Sequence, residues 1–262
     1  TKFPDLNDFY YKIYQYAANE YLQNNIGYLI NTGDLVDDSP SSSLANNQWQ
    51  IAEKALNYAE GIGVPSGVVS GNHDTGNYPN ANYSLFGQYF GADRYRDKPY
   101  YGGNLNNNAS HYDLVTIGNN DLVVLYLGYG VEGTPETVAW ANQVLKRYSH
   151  RGAIICTHQY LSATGGYDVT SRANVIFNQI VVPNENVKML LCGHNNGSVC
   201  LEKKIGERVF YELLSDYQFV QQERDSYYQG DKHYIGTVPF CNGEGYLRSL
   251  RFVGNKVQIK TF

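Results

Sequence analysis

Two short polar motifs and two isolated histidines carry the chemistry available to this chain. Gly71-Asn72-His73-Asp74 follows the β-rich run Val64 to Ser70, so an amide, an imidazole and a carboxylate leave one strand end together. An Asn carbonyl oxygen can bind a metal or a substrate oxygen, and a His beside it can transfer a proton. The glycine lets the backbone turn sharply without a Cβ clash. An earlier run, Tyr28 to Asn31, ends in Gly33-Asp34-Leu35-Val36-Asp37. Of the six histidines, three (His73, His158 and His194) come directly after apolar β-runs. Each residue has a plain reading as well: Asp34, Asn72 and Asp74 as turn formers, His158 as a hydrogen-bonded histidine, His194 as part of a turn before Asn195-Asn196-Gly197. His111, His150 and His233 take the plain reading. If the strands lie side by side, Asp34, Asn72, His158 and His194 meet at one rim. They then form an oxygen and imidazole set suited to manganese, iron or zinc, with too few carboxylates for a calcium cage.

The elements that must place these residues can be read from periodicity. A helix is expected over 4–24, with Phe9, Ile13, Ala17 and Tyr21 on one face, and another over 44–60, with Ile51, Ala55 and Tyr58 as its stripe. A strand spans 66–70, a short helix lies near 82–90, and 75–110 otherwise reads as a long Gly-, Asn- and Tyr-rich surface excursion. His111 to Ile117 and Leu122 to Leu127 form a hairpin across Asn119-Asn120. A helix over 134–148 has Thr134 as its N-cap and Pro135 at its first position. The strand Ala153 to Cys156 leads to His158, a helix covers 170–182, and the strand Val187 to Cys192 leads to His194. Further hairpins pair 198–204 with 207–214 and 245–253 with 256–262. The run 220–243 is a polar, Tyr-rich insertion. Helices and strands in this order predict an α/β domain with mixed sheets and helices outside, in which ligands gather at carboxyl ends of strands.

With 262 residues and 42% hydrophobic content, the chain can bury one large core. A net charge of -5 argues against a nucleic-acid partner, and no apolar run reaches the length of a membrane span. The four cysteines contain no Cys-x-x-Cys pair, which argues against a cysteine zinc site. Cys156 and Cys192 are expected as buried thiols, although a Cys192–Cys200 bridge is also open. Few lysines and many Tyr, Asn and Gly residues suit a secreted or extracytoplasmic protein. The chain starts at Thr1, so an upstream segment could have been removed.

Gly33-Asp34-x-x-Asp37, Gly71-Asn72-His73-Asp74, a lone His158 after a strand, and Gly193-His194 resemble the calcineurin-like metallophosphoesterases, over nearly the whole chain. Leu213 to Gln218 and Gly245 to Arg248 resemble a secreted, bacterial-type branch. The resemblance implies one domain over 1–262, a four-layer αββα sandwich with mixed sheets, and a dinuclear site for divalent ions (Mn, Fe or Zn). It implies hydrolysis of a small phosphate mono- or diester by a metal-bound hydroxide. Asp34 would bridge the metals, and Asn72, His158 and His194 would complete one shell. His73 would protonate the leaving oxygen, oriented by Asp37. Tyr160, Tyr217 and Gln218 are candidates for the substrate cleft, with ordinary packing as the equal alternative. Asp38 stands where protein-phosphatase branches carry a phosphate-clamping Arg, which disfavours that substrate class.

The family pattern breaks twice. Its opening Asp-x-His motif, on a strand before the first helix, is not in the sequence, so the chain reads as a fragment missing its N-terminal strand. Its closing Gly-His-x-His reads Gly193-His194-Asn195-Asn196, which puts the weaker ligand Asn196 at the other metal. The competing expectation is therefore a degenerate member, a secreted domain that binds a ligand with one metal or none. A purely structural domain is the third alternative.

Overall fold

The computed structural model describes residues 7–37, 45–217, 226–229, 232–235, 247–254 and 256–261. In chain order, α1 (Asn7–Leu22), β1 (Leu29–Asn31), α2 (Ala45–Ile62) and β2 (Ser66–Val68) come first. The short helices α3 (Asn72–Thr75), α4 (Ser84–Phe90) and α5 (Ala92–Tyr95) follow, then β3 (Tyr101–Leu105), β4 (Ser110–Ile117) and β5 (Asn120–Leu127). Next are α6 (Pro135–Arg147), β6 (Gly152–Thr157), α7 (Ala173–Ile176) and β7 (Val187–Cys192). The chain continues with β8 (Gly197–Ile205), β9 (Arg208–Asp216), β10 (Ser226–Gln229), β11 (Lys232–Ile235), β12 (Arg248–Val253) and β13 (Lys256–Thr261).

A seven-stranded sheet in the order β3-β4-β5-β6-β7-β9-β8 forms the backbone of the fold. Its centre, β5-β6-β7-β9, is parallel, and both flanks are antiparallel. Parallel strands buried on both faces need apolar side chains at every position. In β5 the period of two sends Val123, Leu125 and Leu127 to one face and Leu122, Val124 and Tyr126 to the other. The first face packs against Val138, Ala141, Val144 and Leu145 of α6 and Ile176, Ile180 and Val181 in and just beyond α7. Each such buried aliphatic side chain contributes roughly 1.5 to 3 kcal/mol. The second face meets Ile30 beside Val69, and Leu250, Phe252 and Val257 of the β12–β13 hairpin. The outer face of the parallel β1–β2 pair carries Leu29 and Val68, which pack against α1, α2 and α4. The result is the four-layer αββα sandwich.

Local chemistry explains most element boundaries. Thr134 caps α6 by accepting the Thr137 amide at 3.3 Å, with Pro135 at the first helical position. The expected helix over 170–182 is one α turn followed by a π turn, Phe177–Val181, in which the Val182 amide reaches back to the Phe177 carbonyl at 2.9 Å. Arg208 sits at its end and donates to the carbonyls of Val181 and Val182 at 2.6 and 3.0 Å, groups the helix itself leaves unpaired.

Two expected helix faces are shifted. In α1 the buried line is Tyr14, Ala17 and Ala18 rather than one through Ile13, and in α2 it is Trp49, Ala52, Ala55, Leu56 and Ala59, with Tyr58 44% exposed. In α1 the strict four-residue spacing drifts off the face of a 3.6-residue helix; in α2 the expected stripe already mixes steps of four and three, and the neighbouring elements select the adjacent one. The Cys192–Cys200 bridge does not form: Cys156 and Cys192 are buried thiols, and Cys200 is an exposed one. Cys241 and Asp38 lie outside the described residues. No helix among the described residues is long and apolar enough to cross a membrane.

Candidate metal centre

Four loops leave strand ends at one rim. Asp34 follows β1, Asn72 opens α3 just after β2, His158 follows β6, and His194 follows β7. Two glycines let the loops touch. A Cβ on Gly33, which has φ +103, would stand 2.4 Å from Nδ1 of His158. One on Gly71 would stand 2.1 Å from Oδ1 of Asp34. Both motif glycines are therefore places where another loop's side chain lies against the backbone.

Asp34 and His194 have left-handed backbones, with φ of 53 and 69. That conformation costs a non-glycine residue roughly 1 to 3 kcal/mol and tends to mark functional sites. The turn at Asp34 is held by Asp74, whose Oδ1 accepts the Val36 amide at 3.1 Å and whose Oδ2 accepts the Gly71 amide at 2.7 Å. The buried Asp74 thus stitches the two motifs together. Burial and the nearby Asp34 charge push its carboxyl up, against the two amide donors.

Around Nε2 of His158 stand Asp34 Oδ2 at 3.2 Å, Asn72 Oδ1 at 3.1 Å and His194 Nδ1 at 3.1 Å. His194 Nδ1 is also 2.9 Å from Asn72 Oδ1. The opposite nitrogen of His158, Nδ1, lies 2.9 Å from the carbonyl oxygen of Thr32, which can only accept, so Nδ1 carries the hydrogen. In the neutral ring Nε2 is then a bare acceptor facing the oxygens of Asp34 and Asn72 and the Nδ1 of His194. A proton on Nε2 satisfies one of these contacts, whereas a cation satisfies all four donors at once. This convergence, together with the Asp34, His158 and His194 cluster within 4.8 Å, fits a divalent metal.

The electrostatics tie Asp34 and His158 together and set His194 apart. Burial opposes charge on both Asp34 and His158, but their mutual attraction prevails. The Asp34 carboxyl is held below its usual range and the His158 imidazole above its own. Burial and the adjacent His158 push His194 down, towards the neutral imidazole that ligates metals.

His73 stands beside the cluster. Its amide donates to Asp34 Oδ1 at 3.1 Å, while its side chain is 45% exposed at the rim. Its Nδ1 contacts the backbone carbonyl of Asp37, and the Asp37 carboxylate is 4.0 Å away. The Asp37 amide donates to Gln48 Oε1 at 2.7 Å, which ties the motif to α2.

The remaining candidates are placed elsewhere. Tyr160 is not a cleft residue: it is fully buried and donates its hydroxyl to Glu212 Oε1 at 2.6 Å. It comes two residues after His158, and the bend at His158 and Gln159 turns it into the core with Ile176 and Phe210. Tyr217 lies at the start of the C-terminal region, its hydroxyl 3.0 Å from Thr261 Oγ1 and in contact with the Arg248 guanidinium. Asn196 is exposed at the turn into β8. Gln218 lies outside the described residues.

Sequence reasoning passed over Asp168, Gln159 and Asn195. Asp168 Oδ2 accepts from Gln159 Nε2 at 2.9 Å and Asn195 Nδ2 at 2.7 Å. These donors sit next to His158 and His194 in the chain, a position that could have flagged them. Nothing in the spacing of Asp168 announces it.

A parallel-centred sheet and packed sandwich layers, with a rim of Asp, Asn and two His at the strand ends, are the arrangement of the metallophosphoesterase fold. The chain belongs to the calcineurin-like phosphoesterase family, whose model matches residues 3–196. Among curated proteins it is similar to the uncharacterized protein YvnB of Bacillus subtilis (strain 168), 36% identical over 249 residues. That match takes in 92% of this chain but only 17% of the relative, so the chain spans a small part of the protein it resembles. Among solved structures, a dimetal phosphatase from Danio rerio superposes with a TM-score of 0.52 at 11% identity, covering 78% of this chain and 76% of the other. The purple acid phosphatase PPD1 of yellow lupin (Lupinus luteus) seeds gives 0.51 at 14% identity, covering 80% and 38%. Both likenesses concern the fold.

Proposed function

We propose that this domain hydrolyses a phosphate mono- or diester with the help of a divalent metal, manganese being the first to try. The observation that carries the reading is the crowding of three side-chain atoms, from Asp34, Asn72 and His194, about Nε2 of His158. Asp34, Asn72, His158 and His194 would hold the ion. Once bound, such an ion neutralises charge on phosphoryl oxygens and activates a water as nucleophile.

The chain's own residues account for the rest. The Asp37 carbonyl can only accept, so Nδ1 of His73 is the protonated nitrogen. Nε2 of His73 is then the nitrogen that can deliver a proton to the leaving oxygen, which it does from the doubly protonated ring. The His73 amide bond to Asp34 keeps that ring beside the cluster. The Tyr129 ring packs edge-on against His158 with centroids 6.0 Å apart and helps to hold the imidazole plane.

One feature favours a second reading, in which the domain binds a phosphoester without cleaving it. Asn196 is exposed and offers an amide oxygen, a poor ligand for a second ion. The composition that suits a secreted protein supports placing either function outside the cytoplasm. The deciding experiment is hydrolysis of p-nitrophenyl phosphate and bis(p-nitrophenyl) phosphate by the full-length protein during metal titration. Turnover that disappears in His194→Ala supports the enzyme. Tight phosphate binding with no turnover at any metal concentration moves the assignment to the binding domain.

A further inference from the structure

Asp168 lies in the loop between β6 and α7, and every oxygen lone pair it can offer is used. Oδ2 accepts from Gln159 Nε2 at 2.9 Å and Asn195 Nδ2 at 2.7 Å. Oδ1 accepts from the Thr170 amide at 2.9 Å and the Thr170 hydroxyl at 2.8 Å. The donors are doubly used as well: Gln159 also donates to Thr170 Oγ1 at 2.7 Å, and Asn195 to the Leu161 carbonyl at 2.8 Å. Gln159 and Asn195 directly follow His158 and His194. One carboxylate therefore ties the loop after β6 to the loop after β7, immediately beyond the two imidazoles.

We propose that Asp168 is a positioning residue for the metal centre: it sets the spacing of His158 and His194 by clamping the residue that follows each. The inference rests on the reading of Asp34, Asn72, His158 and His194 as a cation site. His194 needs such a clamp because its left-handed backbone has no glycine to relax the strain. Direct backbone support between the loops includes the Gly193 amide on the His158 carbonyl at 2.9 Å, which fixes the strand ends but not the turn beyond them. The Asp168–Asn195 bond fixes that turn. Outer groups that orient metal ligands typically change metal affinity by about 10- to 100-fold when removed.

The test is equilibrium binding of Mn²⁺ and of Zn²⁺ to the metal-stripped full-length protein, with melting in chelator measured alongside. Wild type is compared with Asp168→Ala, Gln159→Ala and Asn195→Ala. Asn142→Ala is the control; it loses a side-chain network between α6 and the end of α7, far from the rim. Asp168→Ala should weaken binding by about 10- to 100-fold, the two amide variants by less, and Asn142→Ala should lower the melting point alone. If Asp168→Ala does not fold, the two amide variants decide. Variants that bind as tightly as wild type, or an equal loss of affinity in Asn142→Ala, overturn the positioning role. Failure of wild type to bind either ion overturns the cation reading itself, and this inference with it.

Discussion

His158 and His194 present ring nitrogens to each other at 3.1 Å, Nε2 against Nδ1, with Asn72 Oδ1 within 3.1 and 2.9 Å of the two. Three acceptor atoms this close repel unless a hydrogen or a cation lies among them. Adding Mn²⁺ to chelated protein should therefore raise its melting temperature. At a free ion concentration 100 times Kd the stabilisation is about 2.7 kcal/mol. His194→Ala and Asn72→Ala should each lose most of the shift in a thermal denaturation series. An unchanged shift in both would show that the ion binds elsewhere.

His73 is tied to the cluster only through its backbone and leaves its ring at the rim. His73→Ala should slow hydrolysis by roughly 10²- to 10⁴-fold for esters with poor leaving groups. The loss should shrink for p-nitrophenol, which departs without a proton. Rates across a series of aryl and alkyl phosphates check this; a uniform loss across the series would argue against proton donation. Asp37→Asn keeps the main-chain carbonyl that His73 contacts, so it should be far milder.

Two buried groups on β4 set opposite pH limits on stability. His111 stacks on Tyr126 with centroids 4.3 Å apart, and burial pushes its imidazole from 6.5 down to about 3. The unfolded chain takes up that proton first, so stability is lost as pH falls from 6.5 towards 3. Burial pushes the Asp113 carboxyl from 3.8 up to about 8, only partly offset by the hydroxyl of Tyr28. Here the unfolded chain loses the proton first, so stability is lost as pH rises from 3.8 towards 8. The two slopes oppose each other between 3.8 and 6.5, so this pair alone is level there and falls away on both sides. Asp74 and Glu132, which burial raises to about 8 and about 7, add to the loss as pH rises. Urea midpoints against pH should show this shape. His111→Phe should flatten the acid limb and Asp113→Asn the alkaline one.

Lys203 on β8 reaches Glu212 Oε2 at 2.7 Å, and Glu212 on β9 is fully buried beneath it. Removing only the lysine strands a carboxylate among Tyr160, Tyr167 and the core. Lys203→Met should cost about 3 kcal/mol or more in denaturant unfolding. Adding Glu212→Gln to that variant should recover part of the loss, because the amide needs no counter-charge. No recovery would mean that the lysine stabilises through its packing on the Tyr167 ring, 4.0 Å from the ammonium.

Much of this was legible from the chain. The strands leading to His158 and His194 show as apolar runs, because strands buried on both faces have little polar alternation to hide them. The three-residue strands before Asp34 and Asn72 show mainly by the glycine turns that follow. The Thr134-Pro135 start of α6 follows from capping chemistry alone. Helix faces were less secure, as Tyr58 and Ile13 show, since one helix repeat does not reveal which side the neighbours occupy. Tyr160 was undecided for a related reason. Cleft and packing were equally open from the chain, and the backbone direction aimed it at Glu212.

The sequence by itself determined which residue types leave the strand ends, and so the family and the menu of ligands. That information is local: glycines for tight approach, an Asp, an Asn and two His after apolar runs. Only the tertiary structure decided which of these atoms meet. His158 Nε2 and His194 Nδ1 come within hydrogen-bond distance because β6 and β7 pair in parallel and end at the same rim. Asp168 acquires its place by the same means, from three partners in two loops. Contacts between loops depend on strand order and register, which residue spacing along the chain does not encode.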